Sequence, residues 1–439
     1  MRISITFCAW VLFSFFFGSV FGTLVLAQPP VDALSLKQAE QRALAANPEL
    51  KAFAGEIKQA KARLRQAGLY PNPNLNIESE GIVGSGPETG MDGERTFGLE
   101  QEILLGGKIE KRRRVAAGEL ESTAWEMRIL QQDILKGVRQ AFIEVAGAQE
   151  SVALQRNLVE LAGQVYETVR QRADAGKISP VEAIKAEIEL KNSRQALQVL
   201  ERQLAAARKT LAAFWGTSEL DFEKVVTDSI DDLPEIPSIE LLEAALRENP
   251  DIERFEATEK YRKARYELEK AERIPNVTIG GGYRQIPETD DNAVDFSISI
   301  PLNIFDRNQG NIEAAREGVL QVDDLRASAV NARRRELNAA YENALALNGE
   351  IISLREEIIP ATQEVFAAKE EGYRSGKFSY LELLDAQRVL FESRQRYNDA
   401  IAAYHRTYAE IERLTGKAVE TNGSRWNQSR PGSKGDNPS

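Results

Sequence analysis

Four short segments of the chain alternate apolar and polar side chains with a period of two residues, which predicts β-strands. They span about 73–84 and 95–105 in the first half of the chain and about 275–286 and 293–302 in the second. Each strand has about the 10-residue length that crosses a bilayer when tilted. Alternation alone slightly favours a different interpretation, a small amphipathic sheet on a soluble core.

A long helical pattern follows each pair of strands. The first runs over about 108–175 without proline and would span on the order of 100 Å. Apolar residues recur at every seventh position in both long helices, which predicts coiled-coil packing. The two series are Val138, Val145, Val152, Val159 and Tyr166, and Leu345, Ile352, Ile359, Phe366 and Tyr373. Pro360 predicts a kink in the second long helix.

Both long helices are predicted to end in a tight turn and reverse. The two turns read Gly176-Lys177-Ile178-Ser179 and Gly376-Lys377-Phe378-Ser379. Ser179 with Glu182, and Ser379 with Glu382, have the spacing of a capping box at the start of a return helix. Gly216 and Gly416 are placed as C-caps. The sequence therefore predicts two long hairpins, over about 108–215 and 309–415.

The two halves of the chain repeat each other about 200 residues apart. Ala46-Asn47-Pro48-Glu49-Leu50 recurs as Glu248-Asn249-Pro250-Asp251-Ile252, and Pro73-Asn74-Leu75-Asn76-Ile77 recurs as Pro275-Asn276-Val277-Thr278-Ile279. We therefore divide the chain into a first repeat (28–216), a linker (217–237) and a second repeat (238–417). The predicted fold is mainly α with a small β part, built from duplicated helical hairpins.

The ends and the composition of the chain narrow the function classes. Residues 1–27 are predicted to be a signal peptide rather than an uncleaved membrane anchor, and 418–439 a disordered tail. The single cysteine, Cys8, would leave with the signal, and His405 is the one histidine, so a closed zinc site or a Ser-His-Asp set is disfavoured. The formal charge of −11 disfavours nucleic acid as a partner. We expect neither enzymatic activity nor a cofactor.

Four strands cannot close a membrane barrel, because transmembrane barrels have at least eight strands and an open edge is not stable in lipid. If these strands cross a membrane, several chains must pool them. The long helices would then project from the membrane as a second, helical barrel. Duplication makes each chain pseudo-symmetric, so a few chains give a ring of near-equal hairpins.

The chain resembles the TolC-family outer membrane factors over roughly residues 36–417. The resemblance is carried by Gly372–Ser379 followed by Leu381-Glu382-Leu383-Leu384-Asp385-Ala386, which is similar to the family's second hairpin tip. It implies a homotrimer with a 12-stranded transmembrane β-barrel over a periplasmic α-barrel tunnel. It also implies a periplasmic membrane-fusion adaptor and an inner-membrane pump of the RND type as partners.

Within this family, the segment Ile298–Asn311 is similar to the branch that exports heavy-metal cations. The resemblance therefore implies an outer-membrane location in a Gram-negative bacterium, and a lipid anchor is not expected once Cys8 is removed. Two alternatives stay open. One is a drug-efflux or type I secretion duct of the same family, and the other is a periplasmic coiled-coil scaffold without a pore.

Three groups of candidate residues follow from the pattern and the resemblance. A gate and selectivity ring at the periplasmic mouth would involve Asp385, Glu382, Tyr373 and Arg374. Glu382 also has the capping position, and heptad packing accounts equally for Tyr373. Adaptor contacts would form at the two tips, at Gly176, Lys177, Ser179, Gly376, Lys377 and Ser379. The polar strand positions Glu78, Glu80, Glu100, Glu102 and Asp295 would face the lumen if the apolar positions face lipid.

Overall fold

The computed structural model describes residues 31–80, 94–217, 220–226, 231–286 and 289–416. In this part of the chain the helices are α1 (Leu36–Ala46), α2 (Pro48–Gln66), α3 (Lys108–Asp174), α4 (Pro180–Ala213), α5 (Ile239–Leu246), α6 (Pro250–Glu272), α7 (Gln309–Ser353), α8 (Ile359–Arg374) and α9 (Tyr380–Thr415). The strands are β1 (Val31–Leu34), β2 (Asn74–Ser79), β3 (Arg95–Ile103), β4 (Phe222–Val225), β5 (Val277–Ile286) and β6 (Asp291–Ser299). The predicted signal peptide and C-terminal tail lie outside the described residues.

The four predicted strands form one antiparallel sheet in the order β2-β3-β5-β6. Its central pair, β3 with β5, joins the two repeats, and β2 and β6 are the outer strands. Leu75 lies opposite Leu99, Phe97 opposite Tyr283, and Ile279 opposite Ile298. Since directly opposed residues share a face, the apolar positions of all four strands form one continuous surface. Among the described residues, no helix is long and apolar enough to span a membrane.

The helices form two long hairpins that pack on each other. Helix α3, with 67 residues, extends for about 100 Å and runs antiparallel to α4. It also packs against α6 and α9 of the second repeat, and α7 packs against α6 and α9. Each repeat has its own apolar core, one centred on Val138, Phe142 and Val145, and the other on Leu337, Ile401 and Tyr404.

The heptad prediction is correct for much of α3 and wrong by one position in α7. Val138, Val145 and Val152 are buried as predicted. The buried positions of α7 include Leu337, Ala344 and Ile351, which follow the equivalent buried residues of α3 by 199 positions. The predicted Leu345 and Ile352 are instead 44% and 39% exposed. Beyond Pro360 the offset is 200, because Gly176 and Gly376 occupy the same left-handed position in the two turns. Tyr166 and Phe366, which are also 200 residues apart, pack on the same cluster.

A π-helical turn at Leu354–Ile358 explains this one-residue shift. The amide of Ile359 donates to the carbonyl of Leu354, five residues back, so the wide turn accommodates one extra residue. Proline at position 360 has no amide to donate and its ring crowds the preceding turn, which removes the α-helical alternative there. The predicted disturbance at Pro360 thus takes the form of a π-turn that resets the register of the second hairpin.

A parallel strand pair, β1 with β4, is the main element that sequence reasoning missed. Strand β4 lies inside the segment predicted as a linker, and Leu34 pairs with Val225. The two strands are too short for a periodic signal. Their pairing depends on Leu34, Phe222 and Val225 being buried in the core of the first repeat.

Candidate functional site

The tips of both hairpins meet in one apolar cluster. Its buried members are Val169 of α3, Ala186 of α4, Tyr373 of α8, and Tyr380 and Leu383 of α9. The rings of Tyr373 and Tyr380 meet edge to face with centroids 6.4 Å apart. Burial raises the pKa of Tyr380 to about 12, so this tyrosine stays neutral across physiological pH.

Tyr373 links the two repeats at the tips, while Arg374 does not. The Arg172 guanidinium donates a 2.7 Å hydrogen bond to the carbonyl of Tyr373 and lies over its ring, 4.8 Å from the centroid. Burial raises the pKa of the Tyr373 hydroxyl. Arg374 pairs instead with Glu370 on its own helix at 2.7 Å. Of the four predicted gate residues, Tyr373 is therefore packed in the apolar cluster and Arg374 lies on the surface.

Glu382 is held by the cap of α9. Its carboxylate accepts from the amide of Ser379 at 2.9 Å and from the Ser379 hydroxyl at 3.0 Å, while Ser379 Oγ caps the Glu382 amide. Lys369 Nζ binds its other oxygen at 2.9 Å. These bonds, led by the one from the Ser379 amide, lower the pKa of Glu382 to about 2. The capping box predicted at the second tip is confirmed, and this carboxylate is fully engaged.

The first tip lacks half of the predicted motif. Ser179 Oγ accepts from the Val181 amide, and the described residues show no return bond from Glu182. Both turns are nevertheless built alike. Gly176 and Gly376 have φ of 68° and 79°, and the amide that follows each glycine bonds to a carbonyl five residues back, as in a Schellman motif. Lys177 and Lys377 are exposed at the ends of the hairpins.

Asp385 lies one turn after Glu382 and is far less constrained. Its side chain is 63% exposed and its recorded partner is Arg388, at 2.8 Å. Asp385 and Glu382 line a groove of about 270 Å³ between α8 and α9, together with Lys369 and Val365. Two carboxylates and one ammonium group give this groove a net negative charge.

The polar face of the sheet carries the predicted strand acids. Glu78, Glu100, Glu102 and Asp295 all occupy this face, opposite the apolar surface. Glu80 follows β2, where its amide donates to Glu94. Asp295 is paired with Arg284 at 2.9 Å, which also contacts Glu94. The face therefore mixes carboxylates with a cation.

Two buried cations join the repeats, and neither is among the residues predicted from the sequence. Lys108, 2% exposed, donates to the carbonyl of Ile274 and to Asn276 Oδ1, both at 2.7 Å, and pairs with Glu272 at 3.2 Å. Arg413 of α9 pairs with Asp133 of α3 at 2.6 Å and with Asp251 of α6 at 3.0 Å. In both cases a charged residue stands at a helix position that faces the protein interior, and this feature of the sequence could have indicated a buried ion pair.

No group of three or more His, Cys, Asp and Glu side chains that could hold a metal ion occurs in the described part of the chain. The candidate features are thus a two-faced sheet and an acidic groove behind a cluster of hairpin tips.

Comparisons with known proteins agree with this architecture. The family model described as outer membrane efflux protein matches residues 39–217 and 241–417. The cobalt-zinc-cadmium resistance protein CzcC of Cupriavidus metallidurans is 30% identical over 385 residues, covering 88% of this chain and 90% of that protein. The nickel and cobalt resistance protein CnrC of the same organism is 25% identical over 70% of this chain and 71% of its own length.

Solved structures share the fold. A crystal structure of CusC superposes with a TM-score of 0.76 at 20% identity, over 90% of this chain and 96% of that one. The outer membrane protein VceC of Vibrio cholerae gives 0.70 at 16% identity, over 88% and 97%. The likeness to these structures shows the fold of the chain. The chain belongs to the outer membrane efflux protein family, and the predicted TolC-family resemblance and fold class are confirmed.

Proposed function

We propose that three copies of this chain form the exit duct of a tripartite efflux system that carries divalent heavy-metal cations out of a Gram-negative cell. A periplasmic membrane-fusion adaptor and an inner-membrane RND pump would complete the system. The duct performs no chemistry; it supplies a water-filled path that the pump drives.

The observation that carries this proposal is the two-faced, open-edged sheet. One face is mainly apolar and exposed, with Phe296 at 87% and Ile298 at 72%, while the other carries four of the predicted acids. An exposed apolar face of this kind is suited to lipid. Because no strand among the described residues pairs with the outer side of β2 or β6, sister copies would pair with them, and three four-stranded sheets give twelve strands. A coiled-coil scaffold would have no use for such a sheet.

The heavy-metal substrate is supported by the names of CzcC and CnrC and by the chemistry of the acids. Carboxylate oxygens attract cations, and carboxylates spaced apart hold an ion only weakly. Conduction needs weak binding of this kind, because an ion that is held tightly does not leave.

Asp385 is the residue we assign to the selectivity ring at the mouth. Its carboxylate is exposed, bordering a groove, and held by one surface arginine. Glu382 borders the same groove, but its oxygens are occupied by Ser379 and Lys369. We therefore give Glu382 the structural role and Asp385 the larger part of the electrostatic one. The exposed tips at Lys177 and Lys377 are where the adaptor would bind.

Growth on metal tests the function. In a strain that lacks its own duct but expresses a metal-type RND pump and adaptor, this chain should restore growth on zinc or cobalt. Membranes reconstituted with the purified trimer should show cation-selective conductance. Failure to restore growth together with absence of conductance would refute the proposal, whereas rescue of drug export alone would reassign the substrate.

Asp385→Asn tests the ring in the same bilayers. It should weaken cation selectivity and block by trivalent cations, because up to three charges leave one ring. Glu392→Gln is the matched control, since Glu392 also contacts Arg388, at 3.8 Å, and is absent from the groove lining. Equal selectivity in the two variants would remove Asp385 from the ring.

A further inference from the structure

Exposed apolar residues lie in the two segments that connect the outer strands of the sheet to the helices. Between β6 and α7, Leu302 is 80% exposed and Phe305 is 90% exposed. Between α2 and β2, Leu69 is 60% exposed and Tyr70 is 76% exposed. Exposed clusters of large apolar side chains mark contact surfaces.

The junction between the two repeats within one chain indicates what the junction between two copies should look like. Between its two repeats, the C-terminal end of β3 lies beside the N-terminal start of β5, with Ile103 opposite Val277. Lys108, the first residue of α3, closes this junction by binding Ile274, Asn276 and Glu272. Because the repeats are duplicates, the end of β6 should meet the start of β2 of the next copy in the same way.

Comparing the duplicated positions shows that the second junction differs in chemistry. Gln309 begins α7 as Lys108 begins α3, each after a residue with positive φ. The dipeptide Pro73-Asn74 of the first repeat is equivalent to Pro275-Asn276 of the second. On this alignment Tyr70 is equivalent to Glu272, and Leu69 is equivalent to the buried Ala271. The ionic clamp is therefore replaced by neutral and apolar groups on both sides.

We propose that Leu302 and Phe305 of one copy pack on Leu69 and Tyr70 of the neighbouring copy and form an apolar seam between subunits. This inference rests on the proposed trimer and adds the contact that closes it. Around the ring, ionic junctions within chains would alternate with apolar seams between chains. An apolar seam can form between separately folded subunits without desolvating charges, whereas a buried ionic clamp cannot.

Disulfide trapping tests the seam, and the sequence suits it because Cys8 is the single native cysteine. In a Cys8→Ala background, Tyr70→Cys with Phe305→Cys should give covalent trimers on non-reducing gels that reductant abolishes. Leu69→Cys with Leu302→Cys is a second pair at the same seam. Tyr70→Cys with Leu241→Cys is the control, because Leu241 is 65% exposed on α5, away from the junction, and it should give monomers.

Two further measurements separate the possible failures. If neither seam pair links while amine-reactive cross-linking still gives trimers, the seam is wrong and the proposed function stands; if neither method gives trimers, both fail. Lipid is the competing occupant of the patch. Phe305→Trp should be quenched by brominated phospholipids several-fold less than Phe296→Trp on the apolar sheet face, and equal quenching would overturn the seam.

Discussion

Replacing Arg413 with methionine should loosen the contact between the two repeats. Arg413 is 7% exposed and connects α9 with Asp133 of α3 and Asp251 of α6. Methionine retains most of the side-chain volume but removes every hydrogen bond. The change therefore isolates the electrostatic contribution from the packing contribution.

The expected magnitude follows from the surroundings of the two carboxylates. Breaking a buried ion pair costs about 3–5 kcal/mol when a buried charge is left alone. Here the cost is reduced, because the Asp133 side chain is 50% exposed and can be hydrated. Asp251 is 8% exposed, but Arg333 also contacts it at 3.2 Å. We therefore expect a loss of about 2–3 kcal/mol, mostly from Asp251.

The assay is urea unfolding of the detergent-solubilised protein, followed by circular dichroism. Arg413→Met should lower the midpoint, and adding Asp251→Asn should recover part of the loss, because the uncompensated charge disappears. Arg156→Met is the matched control, since its pair with Glu201 is exposed and such pairs contribute about 0–1 kcal/mol. A double variant whose losses simply add would refute the reasoning.

Two further predictions concern the second tip. The lowered pKa of Glu382 stabilises the tip fully above the ordinary carboxyl pKa, and this stabilisation is lost as pH falls from about 4.5 towards about 2. The protection factors of the 372–383 amides, which are corrected for the pH dependence of intrinsic hydrogen exchange, should therefore fall over this range in the native protein and not in Glu382→Gln. Gly372→Ala would place a Cβ in steric clash with the Phe378 ring, so it should destabilise the tip by about 1–3 kcal/mol, measured as faster proteolysis there. Phe378→Leu should partly restore resistance, and a Gly372→Ala tip that is cleaved no faster would contradict the close approach.

Much of the fold could be predicted from local patterns. Alternation located all four strands of the main sheet, and the glycine and serine signals located both hairpin turns, because those signals depend on neighbours in sequence. The register of α7 could not be predicted, since Leu345 and Ala344 are both apolar and the π-turn beside Pro360 decides which one is buried.

The candidate site divides in the same way. The capping role of Glu382 could be predicted from its spacing to Ser379. The exposure of the Asp385 carboxylate could not be predicted, because it depends on which side chains of α8 and α9 lie within reach. Lys108 and Arg413 were missed because their partners lie more than 150 residues away.

By itself, the sequence determined the duplication, the strand and helix periods, the turns and the family, since each depends on residue order along the chain. Only the tertiary structure decided the β1–β4 pair, the register change in the second hairpin and the buried ion pairs between repeats. The strand pair and the ion pairs join groups remote in sequence, which no local period encodes. The register change is local, but it depends on a π-turn that a heptad pattern does not reveal.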